Sequence, residues 1–258
     1  MEFRAGESTD QQPFDAPAPV VLDVTRHGRA LRFTHDHPRP ADPGELLAGA
    51  IEAVARTGGG RLELWIEHAT DADDAAPRAA GFTHWRDLWQ LRCVLPTDRT
   101  DLATRPFTDA DATEFLAVNN RAFAWHPEQG AMTADDLHDS QAQAWFDPHG
   151  FLLHDRADPA GLARLAGFCW TKIHPATAAD PAMGEIYVIA VDPDFHGQGL
   201  GTPLTLAGLQ WLADAGLTVG MLYVESDNEA ANRVYERIGF SRHHTDRAWF
   251  FDVAPSGR

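Results

Sequence analysis

The residues best suited to chemistry in this sequence begin with a glycine-rich loop, His196-Gly-Gln-Gly-Leu-Gly201. The loop follows a strand-like run that ends at Asp192-Pro193, and it opens a helix-like run. Backbone N–H groups of such a loop can converge on a diphosphate, and the helix dipole adds about 0.3–1 kcal/mol at an exposed site. A tight turn explains a lone glycine loop equally well, but the position of this one favours phosphate binding.

The second candidate segment is Asn228-Glu-Ala-Ala-Asn-Arg-Val-Tyr-Glu-Arg-Ile-Gly-Phe240. Asn228 is a good helix N-cap and Gly239 a good helix terminator, so the segment predicts a helix between them. Tyr235 would lie about two turns into that helix, where its hydroxyl could donate a proton. A lone helical tyrosine is more often a core residue, and only the glycine loop upstream favours a functional role.

Together the two segments resemble the cofactor motifs of the GNAT acetyltransferases, whose glycine loop reads Arg/Gln-x-x-Gly-x-Gly and whose later helix reads Asn-x-x-Ala-x-x-x-Tyr-x-x-x-Gly-Phe. The resemblance implies that residues 102–253 form an N-acetyltransferase with acetyl-CoA as co-substrate. His196 departs from the pattern at the first loop position, although the amide groups are kept. The residues that the resemblance assigns to cofactor binding are Ile189, Ala190, Val191, His196, Gly197, Gln198, Gly199, Leu200, Gly201, Thr202, Asn228, Glu229, Ala230, Ala231, Asn232 and Arg233.

Within that superfamily the chain is similar to the mycothiol synthase family of tandem-domain enzymes, whose N-terminal copy looks inactive. That resemblance implies acetyl transfer to the cysteinyl amine of cysteinyl-glucosaminyl-inositol, the last step of mycothiol biosynthesis. It rests on Asn120-Arg-Ala-Phe-Ala-Trp-His-Pro-Glu-Gln129, Trp145-Phe-Asp-Pro148, Trp170-Thr-Lys-Ile-His-Pro175, Gly184-Glu-Ile-Tyr-Val188 and Leu222-Tyr-Val-Glu-Ser-Asp-Asn228.

The resemblance also assigns roles to single residues. The amine must be neutral to attack a thioester, and Glu185, which begins a strand beside the cofactor, is the expected base, directly or through a water. Tyr235 is expected to protonate the leaving thiolate. Glu128, Lys172 and Tyr223, together with Glu185, match positions that contact the pseudo-disaccharide substrate. Without the matching flanks, Glu185 would be read as a solvated strand-end glutamate.

Two other functions stay open at this point. A GNAT N-acetyltransferase for another small amine would keep the cofactor motifs but would not need the segments at 125–129 and 170–174. A non-catalytic acyl-CoA-binding regulator would need neither Glu185 nor Tyr235.

An internal repeat organises the elements that must position these residues. A gap-free shift of 158 residues lays Leu62-Glu-Leu-Trp-Ile-Glu67 on Gly220-Met-Leu-Tyr-Val-Glu225 and Gly81-Phe82 on Gly239-Phe240. Each half is predicted to run helix, strand, helix, Gly-Phe turn, strand. We therefore predict an α/β (α+β) protein with two GNAT-like domains, each a mixed, mostly antiparallel sheet flanked by helices. Residues 1–19 are predicted to be a flexible arm, 20–96 a truncated domain and 101–254 the catalytic domain.

The two copies differ in their candidate cofactor loops. The shift lays Pro38-Arg-Pro-Ala-Asp-Pro43 on the glycine loop, so a loop with three prolines corresponds to a loop that has three glycines in the second copy. Proline lacks the N–H donor that a phosphate-binding loop requires. Pro77 likewise falls on Tyr235. The N-terminal copy is therefore predicted to be inactive.

The expected elements of the second copy follow from pattern and punctuation. We predict helices at 108–123 and 133–145, a helix that the glycine loop opens and that runs to about 215, and a helix at 228–238. The predicted strands are 151–154, 166–173, 185–191 and 221–225, followed by a final strand pair.

Composition excludes several other classes of function. A net charge of -17 argues against nucleic-acid or anionic-membrane partners. The sequence has no signal-peptide pattern and no run of about eighteen apolar residues. Cys93 and Cys169 are far apart in strand-like runs and are predicted to be buried thiols in a reducing cytoplasm. The histidines show no ligand spacing, His126 and His174 are predicted loop residues, and we expect a cytoplasmic monomer without a metal.

Overall fold

The computed structural model describes residues 20–25, 28–125, 130–157 and 161–256. The arm predicted at 1–19, Glu128 and His126 lie outside the described residues. The helices are α1 (Pro43–Arg56), α2 (Ala75–Ala79), α3 (Ala112–Ala122), α4 (Ala134–Gln141), α5 (Gly201–Asp214) and α6 (Glu229–Ile238). The strands are β1 (Val20–Thr25), β2 (Gly28–Phe33), β3 (Gly60–Ile66), β4 (Thr83–Val94), β5 (Arg105–Pro106), β6 (Phe151–Ala157), β7 (Ala163–His174), β8 (Met183–Val191), β9 (Val219–Glu225) and β10 (Ser241–Val253).

The chain folds into two compact units that do not follow chain order. The C-terminal unit contains Leu91–Val224 and Asn228–Ser241, whereas the N-terminal unit contains the described residues up to Gln90, with Glu225–Asp227 and the residues from Arg242 onward. Most of β10 thus belongs to the N-terminal unit, although the sequence division places it within 101–254. That division into a truncated and a catalytic domain stays a proposal about the two repeats.

Each unit has its own run of strands. In the N-terminal unit the order is β1-β2-β3-β10-β4, and in the C-terminal unit, from the end of β4, it is β4-β9-β8-β7-β6-β5. The β2–β3 and β8–β9 pairs are parallel, and β1–β2, β3–β10, β5–β6, β6–β7 and β7–β8 are antiparallel. Helices flank these mixed sheets, so the predicted fold class is confirmed.

The internal repeat is visible in the element bounds. The shift of 158 residues carries α1 onto α5 residue for residue, and β3 and β4 onto β9 and β10 to within one residue. Gly81 and Gly239 both adopt left-handed backbone angles, φ +85° and +106°, which favour glycine after a helix. The last strand of the second repeat nevertheless pairs with the first repeat, because Phe251 of β10 lies opposite Leu62 of β3.

Some element bounds differ from the sequence predictions. Helix α4 ends at Gln141 rather than at 145, because Trp145 packs 5.8 Å from the Trp170 ring instead of continuing the helix. The predicted final strand pair is one strand, β10, since no Gly, Pro or Asn interrupts residues 241–253. His174 is the last residue of β7 and not a loop residue.

An aromatic core fixes the strands that carry the candidate site. The Phe151 ring stacks on the Trp170 ring at 4.4 Å, and Phe115 of α3 meets Phe168 edge to face at 4.8 Å. All four side chains are fully buried, and each contributes about 1.5–3 kcal/mol through burial. The strands β6, β7 and β8 are therefore held rigidly against α3.

Candidate active site

Strands β8 and β9 separate soon after they meet. They pair at only two positions, Gly184 with Gly220 and Glu185 with Met221, although both strands continue beyond these pairs. On its other edge β8 stays paired with β7 as far as Val191. Among the described residues, β8 and β9 form no ladder pair beyond Glu185, so the backbone of residues 189–191 can bind an extended ligand on that side.

A β-bulge marks the point of separation. Trp170 pairs with Val188 and Thr171 with Ile186, so Tyr187 is an extra residue in β8. Bulges bend a strand and are frequent beside active sites. The backbone of residues 189–191, predicted to hold the pantetheine arm, lies just beyond this bend.

The segment after β8 is anchored by a buried carboxylate. Asp192 is fully buried, caps the turn Pro193–Phe195 by accepting from the Asp194 N–H at 3.1 Å, and forms ion pairs with Arg121 and Arg164. These contacts join α3, β7 and the start of the glycine loop. The start of the loop is therefore anchored to α3 and β7.

The glycine loop has the conformation that the sequence predicts. Gly197 and Gly199 have φ angles of +75° and +74°, and a Cβ added at either residue, or at Gly201, would meet no atom within 4 Å. The loop backbone is therefore open to a ligand. Helix α5 starts at Gly201 with no side-chain cap, so the first N–H groups of the helix lack intrahelical partners. Thr202 lies in this first turn.

Two side-chain contacts connect the loop to the neighbouring strands. The imidazole Nε2 of His196 lies 2.9 Å from the Val191 carbonyl, to which it can donate, so His196 ties the loop back to β8. The Arg156 guanidinium donates to Gln198 Oε1 at 2.7 Å. Sequence reasoning missed Arg156, because its position at the end of β6 has no fixed spacing from the loop.

Helix α6 has the predicted ends and packs beside α5. The Asn228 side chain accepts from the Ala231 N–H at 3.2 Å, and Gly239 closes the helix. Among the predicted cofactor residues, Glu229, Ala230 and Arg233 are exposed and Ala231 and Asn232 are half-buried.

Tyr235 lies on the buried face of α6, with its ring 5.7 Å from Phe240. Burial, with a further contribution from the Cys169 thiol, raises the pKa of Tyr235 above its ordinary value. The hydroxyl therefore stays a proton donor at neutral pH. Among the described residues, no hydrogen bond joins Tyr235 to Glu185.

Glu185 is a buried residue with a histidine partner. Its side chain is only 5% exposed, and its Oε2 lies 2.7 Å from Nε2 of His174 on β7. Glu185 is therefore not the solvated strand-end residue that it would be without the matching flanks. The His174 side chain is 30% exposed, so the pair reaches from the buried strand to the surface. Sequence reasoning assigned His174 to a loop; its spacing from Trp170 and Lys172, alternate residues on one strand face, was the available signal.

Lys172 lies opposite Glu185 in the β7–β8 register. Its ammonium is 4.7 Å from the Trp145 ring centre and 5.3 Å from that of Tyr187, two cation–π contacts that hold it in place. It is the single lysine in a chain that otherwise uses arginine. Burial and the Glu185 charge raise the pKa of Tyr187. Tyr223 lies half-buried on β9.

The other features of the described residues are their thiols, their metal-ligating side chains and the character of their helices. Cys93 and Cys169 are free and buried, as predicted, and burial raises the pKa of each thiol to about 12. In the described parts of the chain, no three His, Cys, Asp or Glu side chains are grouped to hold a metal ion. No helix there is both long and apolar enough to cross a bilayer.

Comparisons with known proteins agree with this geometry. The model of the acetyltransferase (GNAT) family matches residues 113–240. A mycothiol acetyltransferase of Rhodococcus jostii is 42% identical over 230 residues, 83% of this chain and 75% of that protein. One of Actinosynnema mirum is 45% identical over 216 residues, 81% of this chain and 69% of that protein. The crystal structure of a GCN5-related N-acetyltransferase from Sphaerobacter thermophilus shares the fold, with a TM-score of 0.69 at 18% identity over 92% of this chain and 77% of that one.

Proposed function

Since the chain belongs to the mycothiol acetyltransferases of the GNAT family, we propose that it transfers the acetyl group of acetyl-CoA to the cysteinyl amine of cysteinyl-glucosaminyl-inositol. The observation that carries the proposal is the separation of β8 from β9, which leads from the glycine loop to the buried Glu185. An extended, phosphorylated thioester and a small amine can meet along such a gap.

The described residues suit acetyl-CoA in three ways. The open amides of Gly197, Gly199 and Gly201 and the uncapped start of α5 suit the diphosphate. The free edge of β8 at residues 189–191 suits the amide groups of the pantetheine arm. In a chain of net charge -17, these backbone donors provide a local attraction for an anion.

The proton balance of the reaction requires a base and an acid. An ammonium substrate loses two protons as it becomes an amide; coenzyme A takes up one as its thiolate leaves, and one is released. We propose Glu185, directly or through a water, as the base that frees the amine. Tyr235, whose hydroxyl stays protonated, is proposed to protonate the thiolate. The lack of a hydrogen bond between them fits two separate proton transfers.

The polar side chains near Glu185 suit a sugar and an inositol. Lys172 offers a fixed ammonium donor, and Tyr223 a hydroxyl on the facing strand. We propose that both contact the pseudo-disaccharide, together with Glu128. Two free buried thiols and the need for acetyl-CoA fit action in the cytoplasm, where we propose that the chain acts as a monomer on a small molecule.

The test is an assay of the purified chain with acetyl-CoA and cysteinyl-glucosaminyl-inositol, following release of the coenzyme A thiol. Glucosaminyl-inositol without the cysteinyl group, and free cysteine, serve as matched substrates. We expect efficient turnover of the full substrate only. Equal turnover of an unrelated small amine would assign the chain to another acceptor, and coenzyme A binding without any turnover would favour an acyl-CoA-binding regulator.

A further inference from the structure

We propose that His174 is the proton outlet of this active site: it takes, through Glu185, the proton that acetyl transfer releases, and passes it to solvent. The inference rests on the proposed function and adds a residue to it. His174 is a positioning and relay residue, because it acts through Glu185.

The first ground is geometry. Glu185 Oε2 and His174 Nε2 are 2.7 Å apart, which is hydrogen-bond distance for a charge-assisted pair. Glu185 is buried by β7, β8 and β9, whereas the His174 ring at the end of β7 is 30% exposed. A proton on Glu185 therefore has a one-step route to the surface.

The second ground is proton balance. In the step we assign, an N–H bond of the ammonium breaks and an O–H bond forms on Glu185; that O–H bond then breaks as an N–H bond forms on His174. Because His174 accepts on Nε2, its neutral ring carries its hydrogen on Nδ1. Water takes the Nδ1 proton from the imidazolium, and proton exchange between the exposed ring and water moves the remaining hydrogen back to Nδ1, which restores the starting state. The step needs no co-reactant, and it releases the single proton that the overall reaction must release.

The third ground is the match in proton affinity between the ammonium donor and the imidazole acceptor. A carboxylic acid in water ionises near pH 4.3, an imidazole near 6.5 and an α-ammonium group near 7.7–8.0, as approximate values. Proton transfer is most effective between groups of similar affinity near the working pH. An imidazole coupled to a carboxylate is thus a better final acceptor for an ammonium proton than a carboxylate alone.

The charged and titratable groups around Glu185 do not compete with His174 for the proton. From β7, the positively charged Lys172 lies opposite Glu185 in the strand register. On β8, burial and the Glu185 charge raise the pKa of Tyr187, so that hydroxyl stays protonated and is no competing acceptor. The residue opposite Glu185 on β9, Met221, does not titrate.

The test compares pH profiles of kcat/KM for the wild type, His174→Gln, Glu185→Gln and the double variant. Glutamine keeps a donor to Glu185 but cannot carry a proton. We expect kcat/KM of His174→Gln to fall about tenfold or more near pH 7, and by no more than the ~10²–10⁴-fold typical of losing a general base. Above pH 9, where the free amine predominates, its kcat/KM should approach that of the wild type. The double variant should be no slower than Glu185→Gln alone, because His174 and Glu185 lie on the same proton path.

Two controls separate relay from structure. Added imidazole should restore part of the activity of His174→Gly. His149→Gln removes an exposed histidine that also pairs with a carboxylate, Asp147 at 3.1 Å, and should behave as the wild type. Coenzyme A affinity, measured by calorimetry, should stay unchanged in every variant.

A His174→Gln profile that coincides with the wild type overturns the relay. So does an equal loss at all pH values without imidazole rescue, which marks a structural role only. Failure of the proposed function is a different result: the wild type itself would not acetylate cysteinyl-glucosaminyl-inositol, and the His174 comparison would then be made with the amine that it does acetylate.

Discussion

The two repeats contain the same pair of parallel strands, but only one pair is open. In the N-terminal unit β2 and β3 pair at five successive positions, from Arg29 with Leu62 to Phe33 with Ile66, and the Glu67 N–H extends the closure to the Phe33 carbonyl. In the C-terminal unit β8 and β9 pair at two positions and then separate. A cofactor cleft thus depends on where a ladder stops, and not on the order of helices and strands.

A single arginine helps to keep the N-terminal pair closed. Arg39, the counterpart of Gly197 under the repeat, donates to the carbonyls of Phe33, Thr34 and Glu67 and pairs with Asp73 at 2.9 Å. Its side chain bridges the ends of β2 and β3. The glycine at the same place in the second repeat leaves that space open.

The helix after the loop is also capped differently in the two repeats. Asp42 caps α1 by accepting from the Glu45 N–H at 2.9 Å, and Pro43 removes a further donor. Leu200 at the start of α5 provides no side-chain cap. The N-terminal repeat thus carries its own carboxylate where the C-terminal repeat can receive a phosphate.

The largest expected effect concerns Tyr235 and Glu185. Tyr235→Phe and Glu185→Gln should each lower kcat by about 10²–10⁴-fold and leave acetyl-CoA affinity nearly intact. Steady-state kinetics and calorimetry measure the two quantities. At the counterpart of Tyr235 the first repeat has the buried Pro77, which cannot donate a proton.

The pH dependence separates these two variants. Glu185→Gln should recover partly as pH rises, because free amine then forms without a base, whereas Tyr235→Phe should not. Because the pKa of Tyr235 is raised, its hydroxyl stays protonated, and the wild-type rate should not fall between pH 8 and about 10. Wild-type turnover in both variants would contradict the catalytic assignment.

Gly199→Pro should break the open loop. Proline removes an N–H donor and cannot adopt φ +74°, so coenzyme A should bind about tenfold to a hundredfold more weakly, the equivalent of about 1.5–3 kcal/mol for a hydrogen bond to a charged group. Calorimetric titration of folded variants measures this. Ala41→Pro, the matched change in the N-terminal loop, should leave affinity unchanged, and equal affinities in both variants would remove the loop from the cofactor site.

Arg39→Ala tests whether the closed repeat can be opened. We expect a loss of about 1–3 kcal/mol in the free energy of unfolding, because buried carbonyls lose a charged donor. Urea denaturation measures the loss, with the exposed Arg56→Ala, paired only with Glu52, as a control. The wild type and the variant should both bind one coenzyme A per chain, because the β2–β3 ladder and the Asp42 cap persist. A stoichiometry of two would show that the N-terminal cleft is usable.

The smallest expected effect concerns the thiols. Burial raises the pKa of Cys93 and Cys169 to about 12, so both are protonated and should resist a thiol reagent in the native protein. Two equivalents should react after unfolding. Rapid native labelling of Cys169, prevented by coenzyme A, would mean that the cleft reaches deeper than the structure indicates.

Much of this architecture could be predicted because its signals are local. The glycine loop, the Asn228 cap and the Gly239 terminator each determine backbone geometry through their own residues, and the repeat predicted the order of helices and strands shared by the two halves. The exchange of the last strands could not be predicted, because β4 and β10 are equivalent strands of the same pattern and either could pair with β3. The Glu185–His174 contact arises from a strand register altered by the bulge at Tyr187, which no spacing in the sequence reports.

The position of β10 has a consequence for how the protein is made. This strand lies between β3 and β4 in the N-terminal unit, yet in the chain it follows nearly all of the C-terminal unit. Domains generally fold in order as they leave the ribosome. Here the N-terminal sheet lacks an inner strand until the C-terminal unit has been translated, so the earlier part of the chain must wait for the later part. The first repeat therefore completes its sheet only after the second repeat has been made.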